Sequence, residues 1–369
     1  MRLSGDRVFA FIVVILVVGG AAIFLSAALG LLAREGGSIG RLAITQLALG
    51  LIPGVIALIL IRFSPPAWIM KAVIPYYVFS LILTALVFVP GLGVHAGGAT
   101  RWIDVGPVTI QPAEFLKPAV ILMLALFLAK MKEKLKDFRF GLLPFAAIVG
   151  IPTLLLLAQP NTSTTLIIGA TAAALYFLAG APWRDFAILG LITAVAVGGL
   201  LFTRPYLMER VMTFVDPAQD SLGNGYQIQQ SLIAIGSGGM IGRGFGQSAQ
   251  KYNYLPEPVG DSVFAVYGEE FGFMGTVFLV LLFTAFATRG FAIAAQSSSA
   301  FGSFAATGLT LLITLSAFMN IGAMLGIMPL TGLPLPFVSH GGTALLAALA
   351  SVGVILNVAA HRSKRKTLE

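Results

Sequence analysis

The sequence predicts an all-α integral membrane protein, a ten-transmembrane-helix bundle that forms one polytopic domain over residues 1–369. Composition is the first observation: 57% of the residues are hydrophobic, only 10% are charged, and mean hydropathy is +0.94. Soluble domains carry about 25% charged residues. The second observation is that apolar runs of about 20 residues, the length that crosses a bilayer as a helix, recur along the chain.

Ten apolar runs are the predicted spanning helices. They cover residues 8–32, 42–61, 69–90, 113–129, 141–158, 163–180, 186–203, 263–288, 301–326 and 341–360. The sixth and seventh are separated only by the short turn GAPWRD. The first run is longer than the apolar core of a signal peptide, so we expect it to remain in the protein as a helix.

Charge distribution predicts the orientation of these spans. An even number of spans places both termini on one side, and most of the 23 Lys and Arg residues lie on that side, as in KMKEKLKDFR at 130–139 and HRSKRK at 361–366. Because cytoplasmic loops carry the excess of Lys and Arg, both termini are predicted to be cytoplasmic. The net charge of +8 is therefore attributed to membrane topology. Membrane lipids are expected partners, and no nucleic-acid partner is expected.

This orientation leaves two long segments outside, at about 91–112 and about 204–262. A loop as long as the second is usually functional or disordered. Its stretch GYQIQQSLIAIGSGGMIGRGFG has apolar residues at helical spacing, Ile228, Leu232 and Ile235, which predicts a short helix on or in the membrane surface. The glycines that follow lack the pattern of a nucleotide-binding loop, and we expect them to allow tight turns and close packing.

Several ionisable residues stand at the outer ends of the spans, where they are costly and indicate function. Glu114 and Lys117 share one helix face at the start of the fourth run. Glu114 is equally well explained as a first-turn carboxylate that favours the helix dipole. Lys117 opposes that dipole and is predicted to hold an anion in a cavity, unless it snorkels to the interface. Arg101 and Trp102 are either substrate contacts or an interfacial Arg–Trp pair.

The stretch YLPEPVGDSVFAVYGEEFGFMG carries four carboxylates, Glu257, Asp261, Glu269 and Glu270, directly before an apolar run. Asp261 stands where a helix cap would lie. Capping does not explain Glu269 and Glu270, which are expected to pair with cations or backbone groups inside the bundle. Together, the outer carboxylates and cations suit an enzyme or a transporter that acts on a lipid-linked anionic substrate at the outer leaflet.

Four blocks of the sequence resemble the signatures of the SEDS family (shape, elongation, division and sporulation proteins). They are GGATRWIDVGPVTIQPAEFLKPAVI, FVDPAQDSLGNGYQIQQSLIAIGSGG, LPEPVGDSVFAVYGEEFGFMG and PLTGLPLPFVSHGGTALLA. The resemblance implies a multi-pass peptidoglycan glycosyltransferase of the bacterial cytoplasmic membrane, which polymerises lipid II at the outer face. It also implies work beside a class B penicillin-binding protein, the transpeptidase. GQSAQKYNYLPEP and GVILNVAAHR favour the division-type branch over the elongation-type branch.

The resemblance also assigns residues. The family's invariant acid falls on Asp261, its tryptophan on Trp102, and its polar pair on Glu114 and Lys117. This chain departs from the family at QPNTSTT, where Asn161 replaces an acid, at GDSVF, where both neighbours of the acid change, and at SHGGTA, where a histidine, His340, replaces a tyrosine. These departures concern the acceptor pocket.

The implied reaction transfers a sugar from its α-linked pyrophosphate to a sugar 4-hydroxyl and gives a β-linkage. It requires a base for the hydroxyl proton, for which Asp261 is predicted, with Glu257 orienting it or its loop. It also requires positive charge at the leaving pyrophosphate. The cations predicted to bind pyrophosphate are Arg101, Lys117, Arg210 and Arg243. A divalent cation such as Mg²⁺ or Mn²⁺ could share this task, but with no cysteine and three scattered histidines no protein-built metal site is predicted.

Two other functions fit the same residues. A flippase or transporter for the lipid-linked precursor would need the same cations, although such proteins often carry inverted repeats and no internal repeat is evident here. A non-catalytic scaffold for the transpeptidase would not explain the outer polar groups. For the transpeptidase, the eighth and ninth runs are the predicted docking surface, because the ninth is rich in small residues that allow close helix packing. The alternative is that those residues pack inside the bundle.

Overall fold

The structure, a computed structural model, describes residues 6–35, 46–96, 99–106, 108–203, 205–216 and 223–362. Those residues form thirteen α-helices and one small sheet. The helices are α1 (Arg7–Glu35), α2 (Ile52–Phe63), α3 (Pro66–Ala85), α4 (Pro112–Met131), α5 (Leu142–Ala158), α6 (Thr162–Leu178), α7 (Trp183–Thr203), α8 (Pro205–Val215), α9 (Asn224–Ser237), α10 (Gln250–Asn253), α11 (Val263–Ala295), α12 (Ala300–Met324) and α13 (Gly342–Ala360).

Each of the ten predicted runs coincides with a helix. Eight helical segments of the described chain are long and apolar enough to cross a membrane, one of them being α2 together with the π-helix Gln46–Leu51 that leads into it. The other two, α5 and α6, are apolar helices of 17 residues each. The first four residues of the second run, 42–45, lie outside the described residues. The predicted short helix of the outer loop is confirmed as α9.

The centre of the bundle is formed by α4 and α12, which are buried along most of their length. Small residues of α12 permit this packing: a Cβ added at Gly308 would lie 2.5 Å from Ile121 and 2.6 Å from Leu175. Gly302, Ala306, Ser316 and Gly322 are buried as well. The prediction that the small residues of the ninth run face a partner is therefore wrong, because they serve contacts within the bundle.

A three-stranded antiparallel sheet occupies the first outer loop, an element that an all-α prediction does not contain. Its strands are β1 (Gly93–Ala96), β2 (Ala99–Val105) and β3 (Val108–Ile110), in the order β1-β2-β3. The turn between β2 and β3 contains Gly106 at φ 72°, a left-handed conformation that glycine adopts readily. The sheet carries Arg101 and Trp102 on β2.

Helix α11 is broken at Gly272, which has φ 66° and ψ −163°. The glycine-rich turn after α9 fills the break and bonds to the backbone groups that it leaves unpaired. Two N–H groups of the turn donate to the first half of α11, and two carbonyls of the turn accept from the second half: Arg243 N to Glu269 O, Gly244 N to Glu270 O, Phe273 N to Gly239 O and Met274 N to Met240 O. The expectation that these glycines serve close packing is thus confirmed.

We predict that Gly242→Ala disrupts this junction. Gly242 has φ +82°, and a Cβ there would lie 2.1 Å from Glu270 O. A left-handed non-glycine residue costs about 1–3 kcal/mol, and the overlap adds to that cost. The thermal midpoint of the detergent-purified protein should fall clearly. Gly236→Ala is the matched control, since nothing lies within 4 Å of a Cβ there; a loss of equal size in both variants would contradict this account.

The segment between α12 and α13, residues 327–341, forms no helix and enters the interior from Leu330 onward. Five of its apolar side chains are buried, Leu330, Leu333, Leu335, Phe337 and Val338, whereas Ile327 and Met328 at its start are exposed. It meets α1 in close contact, because a Cβ added at Gly20 would lie 2.2 Å from Phe337 O. We call residues 327–341 the interior segment. Non-helical backbone at membrane depth is tolerated only where protein or a water-filled cavity surrounds it, so this segment is expected to border a functional cavity.

Candidate active site

Asp261 lies at the end of the outer loop, immediately before α11. The N-cap residue of α11 is Ser262, so the interpretation of Asp261 as the helix cap is wrong. The Asp261 carboxylate makes no hydrogen bond or ion pair to the described part of the chain and is half-buried. A Cβ added at Gly332 would lie 3.4 Å from Asp261 Oδ2, so this carboxylate lies against the interior segment.

Three charged residues act electrostatically on Asp261. Burial and the neighbouring carboxylate of Glu257 raise the pKa of Asp261 to about 6, against the opposing effect of Arg210 and Arg101. An acid with this pKa is ionised at neutral pH yet binds a proton far better than an ordinary aspartate, which is what general-base catalysis requires.

The two arginines reach Asp261 from different elements. Arg101 projects from β2 and donates to the carbonyls of Gln159 and Pro160, which ties the sheet to the turn between α5 and α6. Arg210 lies on α8.

A tight turn at Glu257 precedes Asp261. Glu257 has φ 46°, a left-handed conformation that stores about 1–3 kcal/mol in a non-glycine residue. Its carbonyl accepts from Gly260 N (3.0 Å) and Ser262 N (3.2 Å), and this tight turn presents Asp261.

A cleft opens between α4, α12, α13 and the interior segment. Its lining is mainly apolar and includes Leu312, Ile313, Leu333, Leu335, Phe337, Leu345 and Ala348. The charged residues of the lining are Glu114 and Lys117. They form an ion pair of 2.8 Å with side chains that are 4% and 9% exposed. Lys117 therefore faces the cleft with its charge balanced by Glu114.

The turn between α5 and α6 brings neutral polar groups to this region. Ser163 Oγ donates to Thr331 O, which places the turn beside Gly332 and hence beside Asp261. Gln159 Oε1 and Asn161 Nδ2 are buried and have no hydrogen-bond partner within the described residues. Asn161, which replaces the family's acid, thus adds an amide donor near Asp261 rather than a charge.

For two of the predicted site residues, no contact with Asp261 is found in the described part of the chain. Adjacent residues of a strand point to opposite faces, so Trp102 lies on the face of β2 away from Arg101. Arg243 forms an ion pair of 3.1 Å with Glu269, two turns along α11 from Asp261. The predicted set therefore divides into Asp261 with its charged neighbours, the Glu114–Lys117 pair in the adjoining cleft, and these two outlying residues.

The prediction that Glu269 and Glu270 have internal partners is confirmed. Glu269 accepts from Ser248 Oγ (2.6 Å) and from the backbone N–H groups of Ala249 and Gln250 (3.1 Å each) in addition to its ion pair. Glu270 forms a buried ion pair with Lys251 at 2.7 Å. Their carboxylates are therefore committed to holding the outer loop against α11.

Sequence reasoning did not select Asn320 or Ser339, whose side chains contact the backbone around Asp261. Asn320 is the one amide side chain in the ninth run and is 1% exposed. A single amide side chain in an apolar helix signals a specific hydrogen bond, and that signal could have identified it. Ser339 carries no such signal, because serines are frequent in loops.

The described residues contain no group of three or more His, Asp or Glu side chains that could hold a metal ion. At Asp261 the acids are Asp261 and Glu257, with Arg101 and Arg210 opposite them. This set fits an ion that arrives with a pyrophosphate and shares one or two carboxylates, and does not fit a cage built by the protein alone.

Comparison with known proteins identifies relatives over most of the chain. The model of the FtsW/RodA/SpoVE family, described as "Cell cycle protein", matches residues 6–364. Stage V sporulation protein E of Bacillus subtilis is 41% identical over 77% of this chain and 78% of its own length. A probable peptidoglycan glycosyltransferase FtsW of Geobacter sp. strain M18 is 40% identical over 78% of both chains.

Two solved structures share the fold. One, from "Structural coordination of polymerization and crosslinking by a peptidoglycan synthase complex", has a TM-score of 0.77 at 28% identity and covers 98% of this chain and 100% of its own. The other, the rod shape determining protein RodA of Thermus thermophilus, has a TM-score of 0.68 at 27% identity and covers 98% and 99%. The chain therefore belongs to the FtsW/RodA/SpoVE family, the SEDS family that its sequence blocks resemble.

Proposed function

We propose that this protein is a peptidoglycan glycosyltransferase that polymerises lipid II at the outer face of the bacterial cytoplasmic membrane. The observation that carries the proposal is an uncommitted carboxylate, Asp261, within electrostatic reach of two arginines and beside a membrane-embedded cleft. Relatives named as FtsW carry the same activity in their names. Among the branches of the family, those names support the division-type assignment.

In the proposed reaction Asp261 takes the proton of the acceptor sugar's 4-hydroxyl. The oxygen then attacks the anomeric carbon of the donor sugar, and the bond from that carbon to the pyrophosphate oxygen breaks. The linkage changes from α to β, and the polyprenyl pyrophosphate leaves with the bonding electrons. Arg101 and Arg210 supply the positive charge that stabilises this leaving group. Arginine forks suit phosphate oxygens because they can bind two of them at once.

The cleft is the proposed site for the lipid-linked part of the substrate. Its apolar walls suit a polyprenyl chain, while Lys117 offers a cation at its polar end. Glu114 holds Lys117 through their ion pair until a phosphate oxygen competes for it. Asp261 and Glu257 are the carboxylates that would hold a Mg²⁺ or Mn²⁺ ion, which would supply further positive charge for the leaving pyrophosphate. Contacts of Trp102 and Arg243 with substrate stay predictions.

We further propose ten membrane crossings with both termini in the cytoplasm. Asp6, ahead of α1, pairs with Arg289 near the end of α11 (2.8 Å) and with Arg362 after α13. Burial alone would raise the pKa of Asp6, but hydrogen bonds from Arg289 and Arg362 hold it below its ordinary value. This ionic cluster gathers the ends of three helices at one face, whereas Asp261 lies at the opposite end of α11.

The direct test is to incubate the purified protein with labelled lipid II, with and without its cognate transpeptidase, and to resolve the products by size. Glycan polymer is the expected product. Movement of lipid II across a vesicle membrane without polymer would instead indicate a transporter. A complex with the transpeptidase that yields neither polymer nor transport would indicate a scaffold.

The transpeptidase is the proposed partner, and the outward face of α11 is its proposed docking surface. Phe278 and Leu281 are 55% and 60% exposed on this helix, and Phe273, Met274 and Val277 extend the same apolar surface. A related chain was solved within a peptidoglycan synthase complex. Of the two helices predicted to dock the transpeptidase, α12 is buried in the bundle. The exposed face of α11 is therefore the proposed contact.

We predict that Phe278→Ala combined with Leu281→Ala reduces co-purification with the transpeptidase, because truncation removes the packing contacts that drive helix association in lipid. The fold should survive, since both side chains face outward. Ile151→Ala with Leu154→Ala on α5 is the matched control, because those residues are 51% and 69% exposed on another helix. Full recovery of the complex with the α11 variant, or equal loss with the α5 variant, would place the interface elsewhere.

A further inference from the structure

The backbone that leads into Asp261 is held by hydrogen bonds from α12 and the interior segment. Three consecutive carbonyls, ending with that of Asp261, each accept one of these bonds. The donors are one backbone N–H and two side chains: His340 N donates to Val259 O (2.7 Å), Ser339 Oγ to Gly260 O (2.7 Å) and Asn320 Nδ2 to Asp261 O (2.8 Å).

These carbonyls are not needed by the turn itself. The N–H groups of Gly260 and Ser262 bond back to Glu257 O, and the bonds that open α11 accept at Ser262 O, from Ala265 N at 2.9 Å. Polar backbone groups in a buried loop have to be paired. Here α12 and the interior segment supply all three partners, so the position of the Asp261 backbone depends on them.

The two side-chain donors are themselves fixed. Asn320 Nδ2 also donates to Leu333 O at 2.8 Å, and since both of its acceptors are carbonyls, only one orientation of the amide satisfies them. Ser339 Oγ accepts from Leu335 N at 2.8 Å while it donates to Gly260 O. Asn320 is 1% exposed and Ser339 is 5% exposed. Neither side chain can therefore turn away without leaving buried groups unpaired.

We infer that Asn320 and Ser339 are positioning residues, which hold the Asp261 carboxylate where an acceptor hydroxyl can reach it. The inference rests on the proposed function, and it adds a role for the interior segment. The interior segment lines the cleft and also carries Ser339, which bonds to the backbone just before Asp261. One element therefore shapes the cleft and positions the proposed base. Catalytic groups have to be held within about 0.5 Å of their productive positions, and a displacement of about 1 Å can cost about 100-fold in rate.

A matched pair of asparagines separates positioning from simple stability. Asn357 on α13 is 2% exposed and its Nδ2 donates to three carbonyls at the C-terminal end of α2, those of Ile61, Arg62 and Ser64. It performs for α2 what Asn320 performs for the Asp261 loop, at the opposite end of the bundle. Asn320→Ala and Asn357→Ala therefore remove similar bonds, and only the first touches the loop of the proposed base.

The experiment measures polymerisation kinetics per folded protein for the two variants and the wild type. Asn320→Ala should lower kcat about 10-fold to 100-fold with little change in KM for lipid II, whereas Asn357→Ala should retain wild-type kcat. Ser339→Ala should behave like Asn320→Ala. Its control is Ser237→Ala, whose hydroxyl bonds within its own helix to Ala234 O, and Ser339→Thr should restore activity because it keeps the hydroxyl.

A second readout does not require activity. Hydrogen exchange, read by mass spectrometry, can be followed at the backbone amides of Gly260 and Ser262, which bond to Glu257 O in the turn before α11. A released loop would open more often, so deuterium uptake at these amides should rise in Asn320→Ala and not in Asn357→Ala. Equal uptake in both variants, with activity lost only in proportion to unfolded protein, would overturn the positioning role. Wild-type protein that makes no polymer would count against the proposed function, while hydrogen exchange would still decide this inference.

Discussion

Asp261→Asn is expected to abolish glycan polymerisation while leaving the fold and transpeptidase binding intact. The amide has nearly the same shape as the carboxylate but cannot take the proton of the acceptor hydroxyl. Loss of a general base costs about 10²–10⁴ in rate. The measurement is glycan formation from labelled lipid II at saturating substrate, with the amount of folded protein determined in the same sample.

Stability provides the internal control for this variant. The fold raises the pKa of Asp261 from 3.8 to about 6. Ionisation of Asp261 therefore lowers the stability of the fold, and this loss develops between pH 3.8 and about 6 and is complete at higher pH. Removing the charge should therefore leave the thermal midpoint at pH 7 equal to that of the wild type or higher. Asp104→Asn, at an exposed position of β2, is the matched substitution and should keep full activity.

The pH dependence of the wild-type enzyme follows from the same pKa. The base acts only when it is ionised, so kcat/KM should fall about tenfold per pH unit below pH 6. Near-normal polymer formation by Asp261→Asn, or a rate that is constant from pH 7 to pH 4.5, would exclude Asp261 as the base.

The positions of the spanning helices could be predicted because the bilayer requires long apolar runs, which composition reveals directly. The internal pairing of Glu269 and Glu270 could be predicted for a related reason, since buried charges need partners. The identity of the partners could not. Ser26, which donates to Glu270 at 2.6 Å, is 244 positions away in the chain, and no local pattern reports a contact across that separation.

The geometry of the site was harder to predict from the sequence, because it also depends on contacts between residues that are far apart in the chain. The break in α11 at Gly272 is filled by a turn more than 25 residues earlier in the chain, so it cannot be inferred from the apolar run alone. The interior segment reads as an ordinary loop, rich in proline and glycine, and its burial depends on contacts with α1 and α12. Motif resemblance found the acid at position 261, but only the fold reveals what holds it.

Lys251→Met is expected to cause the largest loss of stability of any variant considered for this protein. Lys251 and Glu270 are 0% and 1% exposed in an ion pair of 2.7 Å. Lys251 Nζ also donates to Ser26 Oγ (3.0 Å) and Gly246 O (2.9 Å), so α1, the outer loop and α11 meet at this one cation. Removing one partner of a buried pair typically costs about 3–5 kcal/mol, because the other charge stays buried without compensation. The yield of folded protein and its thermal midpoint in detergent should both fall steeply.

The neighbouring pair provides a graded comparison. Arg243 is half-exposed, and Glu269 keeps three other donors when Arg243 is lost, so Arg243→Met should cost much less. The decisive variant is Lys251→Met combined with Glu270→Gln, which removes both charges. If the cost of Lys251→Met arises from an unpaired buried carboxylate, the double variant should be more stable than Lys251→Met alone, as a positive coupling in a double-mutant cycle. Losses that simply add would show that the two residues contribute packing rather than a charge pair, and the ion pair could then not be what joins α1 to the loop of the active site.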